Sequence, residues 1–205
     1  DGLCLGCNDG TVVFVDTKDE TPSLATLFSI KVAERWIQVL KFSPDGNALA
    51  VGGHDQKIHL LDTSAEADPG AGIIGRHAEG RAPARAGVCK GHHAFITHID
   101  WAADGSAVRS NCGAYELLYW SMYREGEDGR PRFHPRQMRK SSAMKDVVWH
   151  THSCLFGWPM RGIWPTDSDG TDVNAVARSH SSQLIATADD IFTAASRSGV
   201  RASRR

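Results

Sequence analysis

An all-β chain folded into the blades of a propeller is what the sequence predicts, and three observations carry the prediction. Short apolar or alternating runs recur, separated by Gly-containing turns such as Asn8-Asp9-Gly10, Asp45-Gly46 and Asp104-Gly105. The runs recur in register. An offset of 46 carries Leu3 onto Leu49, Leu5 onto Val51, Gly6 onto Gly52, Asp9 onto Asp55, Val12 onto Ile58 and Asp16 onto Asp62. A further offset of 59 carries Ile37 onto Ile96, Phe42 onto Trp101, Asp45-Gly46 onto Asp104-Gly105 and Leu61 onto Trp120. Finally, the stretch from Cys89 to Trp120 opens on Gly91-His92 and closes on Trp120. A repeat of about 40 to 60 residues with four strands per unit is a propeller, and a Gly-His opening with an aromatic close is its WD-repeat form.

Length and composition leave room for this fold and narrow the partners. The chain has 205 residues and a net charge of −1, with 41% hydrophobic residues, enough for a core. That balance gives no whole-chain attraction for nucleic acid or an anionic membrane surface. No run of about 18 apolar residues occurs, so no membrane span is expected. Five cysteines in no compact framework read as free thiols of a reducing compartment. Residue 1 is Asp and no charged-then-apolar leader follows, so the chain reads as part of a longer one.

Taken in order, Leu3 and Leu5 share one strand face, Asn8-Asp9-Gly10 turns the chain, and Val12 to Val15 suit a strand buried on both faces. This is the middle of a blade whose first strand is missing. In the second blade Ile37, Val39 and Phe42 supply the first strand, Ser43-Pro44-Asp45-Gly46 a turn, and Leu49 and Val51 the next strand. Gly53-His54-Asp55 turns the chain again and Ile58 to Leu61 returns it. Ala65 to Ala86, rich in Ala, Gly, Pro and Arg, reads as a surface loop insertion. The third blade has strands at Phe95–Trp101, Ala107–Asn111 and Tyr115–Trp120. A fourth is partial, with strands at Asp172–Arg178 and Leu184–Asp190. The expected organisation is a partial propeller over 1–192, with units at about 1–30, 36–91, 92–140 and 145–192. Loop insertions fall near 65–86 and 122–142, and a disordered basic tail covers 193–205. That is about four blade-equivalents, two of them incomplete, with open edges that the remainder of a parent propeller would cover.

The polar positions point to architecture rather than catalysis. In a regular WD blade a loop His, a strand Ser or Thr, a turn Asp and the closing Trp share one hydrogen-bonded network. His92 and Trp120 take two of these positions, while Ala114 stands where the Asp is expected. The second blade keeps Asp55 and replaces the Trp with Leu61. The blades are therefore expected to keep the hydrophobic skeleton and lose part of the network, and the structural blade positions are Asp9, Asp55, His92, Trp101 and Trp120. Cys4-x-x-Cys7 is half a zinc site without its second pair. His150, His152 and Cys154 alternate and would share one strand face. Asp167-x-Asp169-Gly170-x-Asp172 resembles a short calcium loop, but Arg178 stands where the closing Glu belongs. No metal, cofactor or catalytic residue is expected, and neither GxxxxGK[ST], GxSxG nor HExxH occurs. The basic stretch Arg130–Lys140 reads as a solvated loop.

Several segments go beyond a generic repeat. Phe95–Trp101 (FITHIDW), Glu116–Trp120 (ELLYW), Lys145–Trp149 (KDVVW) and above all Gly162–His180 (GIWPTDSDGTDVNAVARSH) resemble the echinoderm microtubule-associated-protein-like family. The resemblance runs from about Asp1 to Asp190 and fits the second propeller of that family. It implies a non-enzymatic, microtubule-associated scaffold in the cytoplasm that binds tubulin as part of a larger chain; a general WD-repeat scaffold without tubulin contact is the alternative. Lys145–Trp149 matches a strand of the family. Trp164, Pro165, Asp169, Gly170 and Asp172 form its signature loop, a candidate partner contact, and other proteins would meet the propeller rims.

Overall fold

The computed structural model describes residues 2–17, 26–63, 83–125, 131–160, 163, 172–190 and 200–204. These residues form four antiparallel sheets in chain order. The first holds β1 (Gly2–Gly6), β2 (Thr11–Asp16) and β3 (Thr26–Lys31). The second holds β4 (Ile37–Phe42), β5 (Ala48–Gly53), β6 (Lys57–Asp62) and β7 (Ala84–Lys90). The third holds β8 (Ile96–Trp101), β9 (Ala107–Cys112), β10 (Leu117–Glu125) and β11 (Pro131–Met138). The fourth holds β12 (Val173–Arg178), β13 (Leu184–Asp189) and β14 (Val200–Arg204).

The repeat offsets reappear as strand register. Leu3 pairs with Val15 and Gly6 with Val12, and at the equivalent places in the second sheet Leu49 pairs with Leu61 and Gly52 with Ile58. In the third sheet Val108 pairs with Trp120, at the places of Leu49 and Leu61. A step of 77 then carries the Trp101–Val108 pair onto Arg178–Ile185. Gly46 and Gly105 adopt positive φ of 73° and 71°, which is why a glycine closes each of these turns. The preceding Asp caps the turn from its side chain: Asp45 accepts from the Asn47 amide at 3.1 Å and Asp104 from the Ser106 amide at 3.0 Å.

Apolar side chains pack between successive sheets. Val12 and Phe14 of β2 meet Leu49, Val51 and Leu61 of the second sheet. Ala50, Ile58 and Leu60 meet Ile96, Ile99, Trp101, Val108 and Trp120 of the third. The close approach has a repeated cause. A Cβ built on Gly6 would sit 2.6 Å from Ile37, and one on Gly52 would sit 2.7 Å from Ile96, so each glycine admits the first strand of the next sheet.

The structure departs from the expectations in five places. Residues 131–138, inside the expected loop insertion at 122–142, form β11, the outer edge of the third sheet. An edge strand buries one face and tolerates Pro and Arg, so its sequence resembles a loop; Phe133 packs on Tyr123 at 4.7 Å between ring centroids. β10 starts at Leu117 rather than Tyr115, because Tyr115 adopts a φ of 59°. Lys145–Trp149, expected as a strand, follows a 3-10 turn at Ser141–Met144 and contributes only a bridge from Trp149 to Ala102. His150, His152 and Cys154 lie in an extended segment and not on a strand. Within the expected disordered tail, residues 200–204 pair with β13, whose edge would otherwise leave a row of backbone groups open. The expected insertion at 65–86 lies largely outside the described residues, which resume at Pro83.

Candidate functional site

The His92 network is built where the loop before β8 meets the ends of β9 and β10. His92 Nε2 lies 2.7 Å from Ser110 Oγ, and Trp120 Nε1 donates to the same oxygen at 2.9 Å. His92 Nδ1 faces Glu116 Oε2 at 3.4 Å. The acid expected at position 114 is therefore supplied by Glu116, slightly further along the chain, so the third blade keeps its polar network. Tyr115 in the left-handed region redirects the chain just before Glu116, which a count of residues back from Trp120 does not show. Glu116 also accepts from the His93 amide at 3.0 Å and lies 2.6 Å from His93 Nδ1. These His93 contacts lead in lowering its pKa to about 2. Burial lowers the pKa of His92 against the opposing pull of Glu116.

The other blade positions are placed as follows. Asp9 caps its turn by accepting from the Thr11 amide at 2.9 Å. Asp55 accepts from the Lys57 amide at 3.3 Å and lies 2.6 Å from His59 Nε2, so the second blade closes its polar contact with a strand histidine of its own. Trp101 is buried and donates to the Lys41 carbonyl at 3.0 Å, tying the third sheet to the second. Of the signature loop, Asp172 accepts from the Tyr115 hydroxyl at 3.0 Å. Trp164, Pro165, Asp169 and Gly170 lie outside the described residues.

A second polar centre is one that sequence reading does not single out. Asp100 and Arg109 form an ion pair at 2.8 Å with both side chains fully buried. Asp100 also accepts from Thr151 Oγ1 at 2.6 Å and from the Ser153 and Cys154 amides at 2.8 and 2.9 Å. Arg109 lies over the Trp149 ring at 4.7 Å. An Asp on β8 and an Arg on β9 give no sequence signal of their own, because their pairing depends on strand register.

The rim that carries the starts of β4, β8 and β12 presents an aromatic surface. Trp36 leans on His54 at 5.3 Å, and His54 stacks on Phe95 at 4.7 Å and 9°. Trp36 and Tyr115 are 55% and 66% exposed, enough for their ring faces to meet a partner. Beside them lies a cleft of about 540 Å³, lined by Gln38, Thr97, His98, Tyr115, Phe156 and Asn174, among others. Its wall is mixed apolar and amide, suited to binding. The five cysteines are free, and burial pushes the thiols of Cys4 and Cys89 up to about 12.

Repeated antiparallel sheets, the third carrying a His–Ser–Trp–carboxylate network, define a partial β-propeller of WD-repeat type. A family model described as the echinoderm microtubule-associated protein second beta-propeller matches residues 1–193. The chain belongs to that family. It is 34% identical to echinoderm microtubule-associated protein-like 3 of Homo sapiens over 188 residues, covering 92% of this chain and 18% of that protein. It is 38% identical to echinoderm microtubule-associated protein-like 2 of Homo sapiens, covering 92% and 25%. The corresponding figures for echinoderm microtubule-associated protein-like 4 of Mus musculus are 36%, 92% and 16%. The chain thus spans between 16% and 25% of the length of these relatives. Among solved structures, the Cps50 (Swd1) β-propeller domain of Myceliophteria thermophila superposes with a TM-score of 0.51 at 15% identity, covering 93% of this chain and 47% of that one. That likeness speaks to the fold alone.

Proposed function

We propose that the chain serves as one part of a microtubule-associated scaffold that binds tubulin and other proteins through its propeller rims and performs no chemistry. Its place of work on this reading is the microtubule cytoskeleton of the cytoplasm. The observation that carries the reading is the family match over residues 1–193, to relatives whose names include microtubule association. The aromatic rim of Trp36, His54, Phe95 and Tyr115 supports binding as the mode of action, since rigid aromatic rings give contact area at low entropic cost.

The test is co-sedimentation of the full-length parent chain with polymerised microtubules, with and without Trp36→Ala and Tyr115→Ala together. Enrichment in the pellet, reduced by the double substitution, supports the reading. A parent that stays in the supernatant rejects tubulin binding. A pulldown rich in other proteins and lacking tubulin would then favour the general scaffold.

A further inference from the structure

We propose that His92, Cys112 and Glu116 form a site for one zinc ion. A ring nitrogen of His92, Cys112 Sγ and a Glu116 carboxylate oxygen all lie within 4.8 Å of one another, and Nδ1 is the nitrogen that faces Glu116. His92 is 20 residues from Cys112 in sequence, and the β8–β9 register together with the Tyr115 kink brings it to Cys112 and Glu116. Linear spacing hides the cluster, which is why Cys4-x-x-Cys7 draws attention first.

The contacts among these atoms leave room for a metal ion within the hydrogen-bonded network. Charge-assisted N–H···O bonds run about 2.7–2.9 Å, whereas His92 Nδ1 stands 3.4 Å from Glu116 Oε2. Cys112 Sγ stands 3.2 Å from the same oxygen. For metal–ligand bonds of about 2.1 Å, the edge of a tetrahedron is about 3.4 Å. The His92–Glu116 separation matches such an edge, while the Cys112–Glu116 separation would widen by a few tenths of an ångström on binding, since Zn–S bonds are longer, about 2.3 Å. The ligand types, one imidazole, one thiolate and one carboxylate, form a set suited to zinc rather than to calcium or magnesium.

The surroundings fit the ligand roles. His92 would bind through Nδ1 while Nε2–H donates to Ser110 Oγ at 2.7 Å, an outer contact that fixes the tautomer and ring orientation. His93 Nδ1 lies 2.6 Å from Glu116 Oε1 and the His93 amide donates to Oε2 at 3.0 Å, so both oxygens are held in place and Oε2 would offer a remaining lone pair to the metal. Glu116 keeps 29% of its side chain exposed, so the fourth position opens toward water. Binding replaces the Cys112 thiol proton by the metal: the S–H bond breaks, a Zn–S bond forms and one proton leaves to solvent. The ion would pin the loop at 91–93 to the turn at 112–116.

Cobalt(II) is the probe. The whole chain is stripped with chelator and titrated with Co²⁺ in a Cys4→Ser/Cys7→Ser background, which removes the other accessible thiols. The expected result is one equivalent bound, with thiolate-to-cobalt absorption that Zn²⁺ abolishes and that Cys112→Ser eliminates. Glu116→Gln should weaken binding at least about tenfold, in keeping with the cost of losing metal-site partners. Circular dichroism reports whether each variant keeps its strands. Should Cys112→Ser not fold, proton release on Zn²⁺ addition in weak buffer decides: close to one proton per metal supports the site, and none overturns it. Absence of the cobalt band, or a band that survives Cys112→Ser, also overturns it.

Discussion

Asp100→Asn replaces one oxygen of a fully buried carboxylate with an amide nitrogen at the seam between the third blade and the segment that follows it. Arg109 donates through Nε and Nη2 to Asp100 Oδ2, at 3.0 and 2.8 Å. The same carboxylate receives the Thr151 and Ser153 hydroxyls and the Ser153 and Cys154 amides. Asparagine accepts at one terminal atom only, so its amide N–H₂ must face either the guanidinium or those amides, a donor against a donor. Arg109 stays buried and charged, with the Trp149 ring as its remaining close partner. Breaking a buried pair by removing one member costs about 3–5 kcal/mol. Total stability for a domain is about 5–15 kcal/mol, so this is a large fraction of it. Urea unfolding at neutral pH measures the loss, and hydrogen exchange at Ser153 and Cys154 shows whether the segment comes away. Adding Arg109→Met removes the stranded charge and should recover at least about 1 kcal/mol. A loss under about 1 kcal/mol with an unchanged m-value, or unchanged protection at Ser153 and Cys154, would mean that the Asp100 carboxylate does not hold this junction. Burial works to raise the pKa of Asp100, yet Arg109 and the Thr151, Cys154 and Ser153 donors outweigh it and hold the carboxyl well below its ordinary 3.8. The site's contribution is therefore complete above about pH 4 and disappears as pH falls through the folded-state value.

Three further outcomes are expected. Gly52→Val should cost about 1–3 kcal/mol by overpacking, since its Cβ would start 2.7 Å from Ile96 and 2.8 Å from Val39; Ile96→Ala in the same chain should return part of the loss in a urea melt. Ser110→Ala should cost about 1–3 kcal/mol by leaving the buried Trp120 indole N–H and His92 Nε2 without their shared oxygen, read from the unfolding midpoint. Below pH 6.5 stability should decline in part through His92: its pKa is lowered in the fold, so the unfolded chain takes up a proton that the folded one refuses, and His92→Asn should flatten that slope between pH 8 and 5.5.

The repeat is readable because each blade position is constrained by two neighbours at once. Gly52 must be small to admit Ile96, Asp45 must cap its turn, and Val108 must face Trp120 across the ladder. Such constraints leave period and offset in the sequence. The outer strand at 131–138 faces fewer constraints, so Arg and Pro replace its alternation and it looks like a loop. The polar centres are less visible still. Glu116 reaches His92 through a backbone kink at Tyr115, and Asp100 meets Arg109 by register alone. Neither relation follows from a fixed spacing. The aromatic rim is present in the sequence only as separate letters, because Trp36, His54 and Phe95 come together from three turns and two sheets.

The change of offset from 59 to 77 at the third blade goes with a change of residue type at one position. Gly6 and Gly52 occupy equivalent positions, and each lets the next sheet's isoleucine approach to contact. The equivalent position in the third sheet is Asn111, which is buried. Its Nδ2 donates to the Glu116 carbonyl at 3.4 Å, so a polar side chain stands where the earlier sheets carry none. The chain here inserts residues 139–172 between β11 and β12. Asn111 Oδ1 accepts from the Phe156 amide at 3.1 Å, Asp100 holds Thr151 to Cys154, and Trp149 bridges to Ala102. On one side this layer packs Met144 and Trp149 against Ala102, Ala107 and Tyr119. On the other, Met160 and Ile163 pack against Val173, Val176 and Ile185 of the fourth sheet. The polar residue at the glycine position thus helps anchor a layer between two sheets that also meet where the Tyr115 hydroxyl donates to Asp172. Asn111→Gly alone should not restore the glycine-type contact, because Met144, Trp149 and Met160 would keep their packing at this junction. It should instead destabilise the junction, by removing the acceptor for Phe156 and opening a void beside it; a lowered urea midpoint, with faster hydrogen exchange at the Phe156 amide, is the expected reading.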